Sequence, residues 1–184
     1  MTRYVAAGDL SLRSAGLALV PTDFAPDLDW RRVIVRTVGF ELKRDAGEWE
    51  RAHRFVAASK AIVGFLLEHE VEHVWLEQYA FSQGQSQAHA LGEMGGAVKL
   101  RLYEAGIRWS VVNASSARVH LGRFPTKGAK LAAHAVLEAM GCPGDWGPDE
   151  KDAFIVANAG LIERGFVGIS VPREPAAKKG RRAA

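Results

Sequence analysis

The chain has 184 residues, of which 48% are apolar and 24% charged, proportions that fit a globular domain with one packed core. Its longest apolar run, residues 61–67, is far shorter than the roughly 20 residues of a membrane-spanning helix, so we expect no such helix and no membrane as a partner. Asp9 and Arg13 interrupt the pattern of a secretory signal, and the single Cys142 has no partner for an internal disulfide. We therefore expect a cytoplasmic protein.

The net charge of +3 is unevenly distributed along the chain. Residues 173–184 carry five basic groups and one acidic group, which leaves 19 basic and 20 acidic groups for residues 1–172. We therefore predict one nearly neutral domain over residues 1–172. The segment 173–184 is predicted to be a basic, disordered tail.

Hydrophobic periodicity predicts alternating strands and helices. Two short apolar runs separated by a polar turn indicate a hairpin, and β-branched residues further on indicate a third strand; these segments are 4–9, 16–20 and 32–38. An amphipathic helix then precedes a buried strand, a second helix and a fifth strand, over 48–70, 74–80, 85–105 and 108–113. Two further helices are predicted over 126–140, capped by Thr126, and over 148–164, with Pro148 in the first turn.

This order of elements predicts an α/β fold. The first three strands should pair antiparallel, because the connections between them are short. The last two should join in parallel through helical crossovers. The result is a mixed five-stranded sheet flanked by helices.

Four carboxylates occupy positions that call for an explanation. Asp9 ends an apolar strand, Glu77 lies within another, and Asp149 and Asp152 share one face at the start of the last helix. The aspartates also have ordinary structural explanations, since Asp is common at turns and helix starts, whereas Glu77 is hardest to explain in this way because bulky apolar residues surround it in the sequence. If the four converge, they would repel one another unless a cation neutralised them, and Mg²⁺ or Mn²⁺ are the divalent ions suited to oxygen ligands.

The same residues carry a resemblance to a known family. Residues 7–18, AGDLSLRSAGLA, resemble the first strand and turn of the RuvC family of Holliday-junction resolvases, in the ribonuclease-H-like superfamily. Leu76-Glu77-Gln78 is similar to that family's second motif, and residues 149–153, DEKDA, to its closing helix start. Between them, residues 90–98 resemble its glycine-containing helix and residues 118–136 its basic loop and helix. The motifs occur in the family's order over residues 4–160.

The resemblance implies a ribonuclease-H-like endonuclease that binds four-way DNA junctions as a homodimer and nicks two strands symmetrically. Two Mg²⁺ ions, with Mn²⁺ as a substitute, would be held by the four catalytic carboxylates Asp9, Glu77, Asp149 and Asp152. The implied DNA-binding residues are Arg13, Tyr79, Phe81, Arg118, Lys127 and Lys130.

The chain departs from the family pattern in three places. Leu10-Ser11 replaces the usual Pro-Gly after the first aspartate. Ala80 stands where an aromatic residue is typical, which leaves Tyr79 and Phe81 as candidates to unstack bases. Glu150 is an alternative to Asp149 as a metal ligand.

Three other functions compete with this interpretation. Residues 69–73 match H-E-x-x-H, a zinc-protease motif that requires an uninterrupted helix through both histidines. The predicted helix ends near His69 and a strand follows from Val74, so a solvated helix end and connector is favoured over this function. A ribonuclease-H-like nuclease acting on RNA/DNA hybrids or on other branched DNA would share the same motifs. A junction-binding protein that does not cut is less favoured, because carboxylates facing phosphates weaken binding.

Overall fold

A computed structural model describes residues 3–25, 28–40, 46–78, 85–124 and 127–171, with residues 85–87 described for the backbone alone. Tyr79, Phe81, Thr126 and the predicted tail 173–184 lie outside the described residues. No helix within the described ranges is long and apolar enough to cross a membrane.

A mixed five-stranded sheet forms the centre of the domain, in the order β3-β2-β1-β4-β5. β1 (Tyr4–Leu10) and β2 (Ser14–Pro21) form a hairpin, and β3 (Ile34–Gly39) extends it antiparallel to β2. β4 (His73–Glu77) pairs parallel to β1, and β5 (Arg108–Val112) pairs parallel to β4. The predicted fold class is confirmed.

Five helices cover the two faces of the sheet: α1 (Glu48–Glu68), α2 (Gln85–Glu104), α3 (Ala114–Leu121), α4 (Ala129–Ala139) and α5 (Pro148–Glu163). Side chains alternate between the faces along each strand. Ala6 therefore belongs to the hydrophobic cluster formed with α1 and α2, whereas Ala7 belongs to the cluster formed with α3, α4 and α5.

The last helix, α5, lies directly against the sheet. Residues 151–161 are all buried, which explains why this helix has almost no polar face. Gly160 permits the contact, because a Cβ at this position would stand 2.7 Å from the buried Trp75 ring of β4. Trp75 Nε1 donates a hydrogen bond of 3.0 Å to Glu163 at the end of the helix.

The structure differs from the predicted elements after β5 and after β4. The short helix α3 was not predicted, because its eight residues bury only Ala117 and Leu121, too few to produce a helical period. Its start is set by the Asn113 side chain, which accepts a hydrogen bond of 2.8 Å from the Ser115 amide. The next helix begins at Ala129, later than predicted, after Gly128 with a left-handed φ of 80°. The strand predicted to reach residue 80 ends at Glu77.

Candidate active site

Two of the predicted carboxylates lie side by side at the carboxyl edge of the sheet. Gly8 of β1 pairs with Leu76 of β4, and the next residue along each strand is Asp9 and Glu77, respectively. Both point to the face covered by α5, because Ala7 and Trp75, two residues earlier in each strand, belong to that cluster. Parallel pairing of an early strand with a middle strand therefore joins residues that are far apart in sequence.

The first turn of α5 brings a third carboxylate to this edge. Gly16 of β2, which lies opposite Asp9 in the hairpin, has no side chain where the helix crosses it. A Cβ at Gly16 would stand 2.9 Å from Asp149 Cβ and would overlap the Asp149 carbonyl group. Ser14 Oγ donates a hydrogen bond to the Asp149 carboxylate, which orients that side chain toward the hairpin.

The structure also distinguishes Asp149 from its neighbour Glu150. The Glu150 carboxylate accepts a hydrogen bond from Thr37 Oγ1 of β3. Asp149, in contrast, is close enough to Asp9 for its charge to contribute to the raised pKa of Asp9. The geometry therefore favours Asp149 over Glu150 as the member of the site.

Asp152 is the most deeply buried of the four carboxylates, with 2% of its surface exposed. His134 Nε2 lies 3.0 Å from Asp152 Oδ1, and Lys130 Nζ contacts Oδ2. Arg118 Nη2 of α3 is 3.9 Å from Oδ1. Burial would raise the pKa of Asp152, but hydrogen bonds from His134 and Lys130 and their charges hold it below the ordinary value.

Asp9 and Glu77 receive weaker compensation. Burial, followed by repulsion from Glu77 and Asp152, raises the pKa of Asp9 to about 8. Burial, followed by repulsion from Asp152, raises the pKa of Glu77 to about 7. The charge of Lys130 opposes the pKa shift of Asp9, and the charges of Arg118 and Lys130 oppose that of Glu77, without cancelling either shift. The carboxylate cluster, defined as Asp9, Glu77, Asp149 and Asp152, would therefore carry more negative charge, when fully ionised, than its cationic neighbours offset.

This imbalance bears on whether the cluster suits a divalent cation. The donor set consists of carboxylate oxygens, which are the ligands that Mg²⁺ and Mn²⁺ prefer. Within the described residues, no three acidic, histidine or cysteine side chains stand close enough to coordinate one metal ion as they are placed. The Lys130 ammonium holds Asp152 instead, and its own pKa is raised by Asp152, Asp9 and Glu77 against the effect of burial. The residues present thus fit a hard divalent cation by their chemistry and their excess charge.

The predicted DNA-binding residues are placed differently from one another. Arg118 lies beside the carboxylate cluster, next to Asp152, and its buried Nε has no hydrogen-bond partner among the described residues. Lys130 also joins the cluster, with a half-exposed side chain. Lys127 is exposed just before α4, and Arg13 is exposed in the turn between β1 and β2, at the same edge as Asp9. Tyr79 and Phe81 follow β4 and lie outside the described residues.

The sequence analysis missed His134 and Ser14 as members of the site. A signal for His134 was present, because Lys130 and His134 are four residues apart and so share one face of a predicted helix. Nothing in the sequence indicated that this face would meet Asp152. Ser14 gave no signal, since its role depends on α5 crossing the hairpin.

The structure lacks the uninterrupted helix that the zinc-protease motif at residues 69–73 requires, in agreement with the predicted helix end near His69. α1 ends at Glu68, and Glu70 has a positive φ of 53°, so no continuous helix joins the two histidines. The His69 ring packs against Phe65 at a centroid distance of 4.9 Å. His73 belongs to β4, where its Nε2 is 3.0 Å from Ser110 Oγ.

The chain is similar to solved structures of nucleic-acid-binding proteins. Thermus thermophilus RuvC matches with 20% identity and a TM-score of 0.63, over 89% of this chain and 97% of that chain. T. thermophilus RuvC in complex with Holliday junction substrate matches with 19% identity and a TM-score of 0.61, over 88% and 96%. The Fowlpox virus resolvase in complex with Holliday junction DNA matches with 10% identity and a TM-score of 0.52, over 88% and 98%. The sequence matches no protein-family profile and no curated protein.

These similarities identify the fold. The domain shares the fold of T. thermophilus RuvC, and the resemblance predicted from the sequence motifs is confirmed at the level of the fold. It extends over nearly the full length of the RuvC chains.

Proposed function

We propose that this protein is a divalent-metal-dependent endonuclease that resolves four-way DNA junctions by paired symmetric nicks. The observation that carries the proposal is the carboxylate cluster at the edge of a RuvC-like sheet, where burial and mutual repulsion raise the pKa of Asp9 and Glu77. Further support comes from the similar structures of T. thermophilus RuvC and Fowlpox virus resolvase, each in complex with Holliday junction DNA.

In the proposed mechanism, the four carboxylates of the cluster would hold two Mg²⁺ ions, for which Mn²⁺ would substitute. When bound, the ions supply activation of the attacking water and stabilisation of the leaving 3′ oxygen. Asp9 is the central member, since its pKa responds to the charges of Glu77, Asp152 and Asp149. The role of the carboxylates would be to bind the cations next to the phosphate that is cut.

The basic residues around the cluster hold the DNA in this proposal. Arg118 is suited to the phosphate nearest the cut, because its buried Nε still lacks an acceptor among the described residues. Lys130 lies at the same point, whereas Lys127 and Arg13 are exposed farther out and would contact flanking phosphates. Tyr79 and Phe81, which directly follow the strand that ends at Glu77, would stack on bases at the junction centre.

Symmetric nicking requires two sites, so we further propose a homodimer. The outer surface of the α1–α2 layer carries apolar side chains that this chain leaves exposed: Trp49 at 86%, Tyr103 at 75% and Leu100 at 58% of their surface. This surface lies on the sheet face opposite α5. Light scattering of the wild type and of Tyr103→Asp would test the proposal. A monomeric wild type at micromolar concentration would contradict it.

The decisive experiment for function uses synthetic four-way, flap, hybrid and linear substrates, each with Mg²⁺ or EDTA. We expect symmetric paired nicks confined to four-way junctions, present with Mg²⁺ and lost in EDTA. Asp9→Asn should abolish cleavage while junction binding remains, because basic groups supply most of the affinity. Equal cleavage of flaps or hybrids would favour the broader ribonuclease-H-like alternative. Binding without any cleavage, in Mg²⁺ and in Mn²⁺, would overturn the enzyme proposal.

A further inference from the structure

One buried polar contact at the site has no role in the proposed function. His134 of α4 is 7% exposed, and Asp152 of α5 is 2% exposed. His134 Nε2 lies 3.0 Å from Asp152 Oδ1. Because an ionised carboxylate can only accept a hydrogen bond, His134 Nε2 is the protonated ring nitrogen and donates the hydrogen bond to Asp152 Oδ1.

The two oxygens of Asp152 have partners of different character. Oδ1 is held by the His134 imidazole at 3.0 Å, a compact ring on a buried part of α4, with Arg118 Nη2 farther away at 3.9 Å. Oδ2 contacts the Lys130 ammonium, which sits at the end of a flexible side chain that is 48% exposed. Lys130 can swing away into solvent at little cost, whereas His134 cannot. Only the Oδ1 contact is therefore suited to fix the carboxylate permanently.

We infer that His134 is a positioning residue, which holds Asp152 by Oδ1 so that Oδ2 is presented to a divalent cation, and that Lys130 competes with the cation for Oδ2. The inference rests on the proposed metal-dependent function. Outer hydrogen-bond partners of metal-ligating groups commonly contribute about 10- to 100-fold to metal affinity.

The inference predicts opposite effects for two neighbouring residues. Loss of the His134 hydrogen bond should weaken metal binding, because Asp152 then adopts other rotamers. Loss of the Lys130 ammonium should strengthen metal binding, because the cation no longer displaces a bound positive charge. If His134 acted only through positive charge, its removal would strengthen binding as well. The sign of the effect separates the two explanations.

The test is calorimetric titration of the full chain with Mn²⁺ alone, without DNA. The variants are His134→Leu, which removes the donor, and His134→Gln, whose amide replaces Nε2–H. His134→Asn is equally polar but its amide falls short of Oδ1, so it serves as a comparison if His134→Leu does not fold. Lys130→Met and Asp152→Asn complete the set. Melting curves in EDTA establish that each variant is folded.

We expect Mn²⁺ binding at least tenfold weaker for His134→Leu and His134→Asn, within about threefold of the wild type for His134→Gln, and tighter for Lys130→Met. Unchanged or tighter binding by folded His134→Leu and His134→Asn would overturn the inference. If the wild type bound no Mn²⁺ better than Asp152→Asn does, the metal site itself would be refuted. Loss of binding in Asp152→Asn with no effect at His134 would refute the positioning role alone.

Discussion

Replacing Asp9 with asparagine removes an ionisable carboxyl from the carboxylate cluster and leaves the side chain nearly the same size. In the folded protein the pKa of this carboxyl is raised from 3.8 to about 8, first by burial and then by Glu77 and Asp152. The unfolded chain releases the proton near pH 4, whereas the folded chain keeps it until about pH 8. Between these values the unfolded state binds fewer protons, so stability falls as pH rises.

The expected size of the effect follows from the same shift. For each pH unit above the unfolded pKa, a group with a raised pKa lowers the free energy of unfolding by up to about 1.4 kcal/mol. For Asp9 this gives an upper limit of about 4 kcal/mol at pH 7. Glu77, with its pKa raised to about 7, makes the free energy of unfolding fall with pH at a similar rate, but over a narrower pH range. Asp152 does not contribute in this window, because its pKa is lowered and its effect lies below pH 4. We expect Asp9→Asn to be about 1–4 kcal/mol more stable than the wild type at pH 7 without metal.

Urea denaturation in EDTA at pH 5, 6, 7 and 8 measures this difference. The advantage of Asp9→Asn should grow with pH, and the exposed Asp145→Asn should follow the wild type at every pH. Added Mg²⁺ should stabilise the wild type more than Asp9→Asn, because only the wild type regains its ionised ligand. A folded Asp9→Asn that is no more stable than the wild type at pH 7, with the same pH slope, would refute the reasoning about the buried charge.

Three further outcomes can be checked. Gly16→Ala should displace the first turn of α5, lower stability by about 1–3 kcal/mol in a thermal melt and remove most of the junction cleavage. Gly64→Ala, whose added Cβ meets nothing within 4 Å, should be neutral or slightly stabilising. Equal effects of the two substitutions would contradict the close approach at Gly16. Arg118→Met should weaken junction binding and lower the salt slope by about one phosphate contact; an unchanged slope in filter binding would exclude that contact. Deletion of residues 173–184 should flatten the salt dependence of DNA binding and leave junction selectivity intact; an unaltered slope would remove the tail from the DNA interface.

Much of the fold could be predicted because its signals are local. The hairpin, the third strand and the two crossovers each have a clear hydrophobic period, and short or long connections then determine antiparallel or parallel pairing. α3 has no comparable period, since it buries only Ala117 and Leu121. Its start depends on a single cap at Asn113, which the local sequence Asn-Ala-Ser-Ser does not reveal.

The candidate site divides in a similar way. The proximity of Asp9 and Glu77 follows from parallel strands, and the shared face of Asp149 and Asp152 follows from helical spacing. The choice between Asp149 and Glu150 depends on how α5 crosses Gly16, which is a packing effect between segments distant in sequence. The hydrogen bond from His134 to Asp152 depends on how α4 meets α5, and helical spacing alone does not indicate the partner of a face.

The position of α5 in the chain has a consequence for the order of folding. α5 packs on β1, β2 and β4, so it completes both the hydrophobic cluster on its side of the sheet and the carboxylate cluster. During synthesis Asp9 and Glu77 are made long before Asp149 and Asp152. A nascent or truncated chain that stops before residue 148 therefore has only half of the proposed metal ligands. Such a chain cannot cut DNA by the proposed mechanism, so under the proposed function unfinished copies would carry no nuclease activity into the cell.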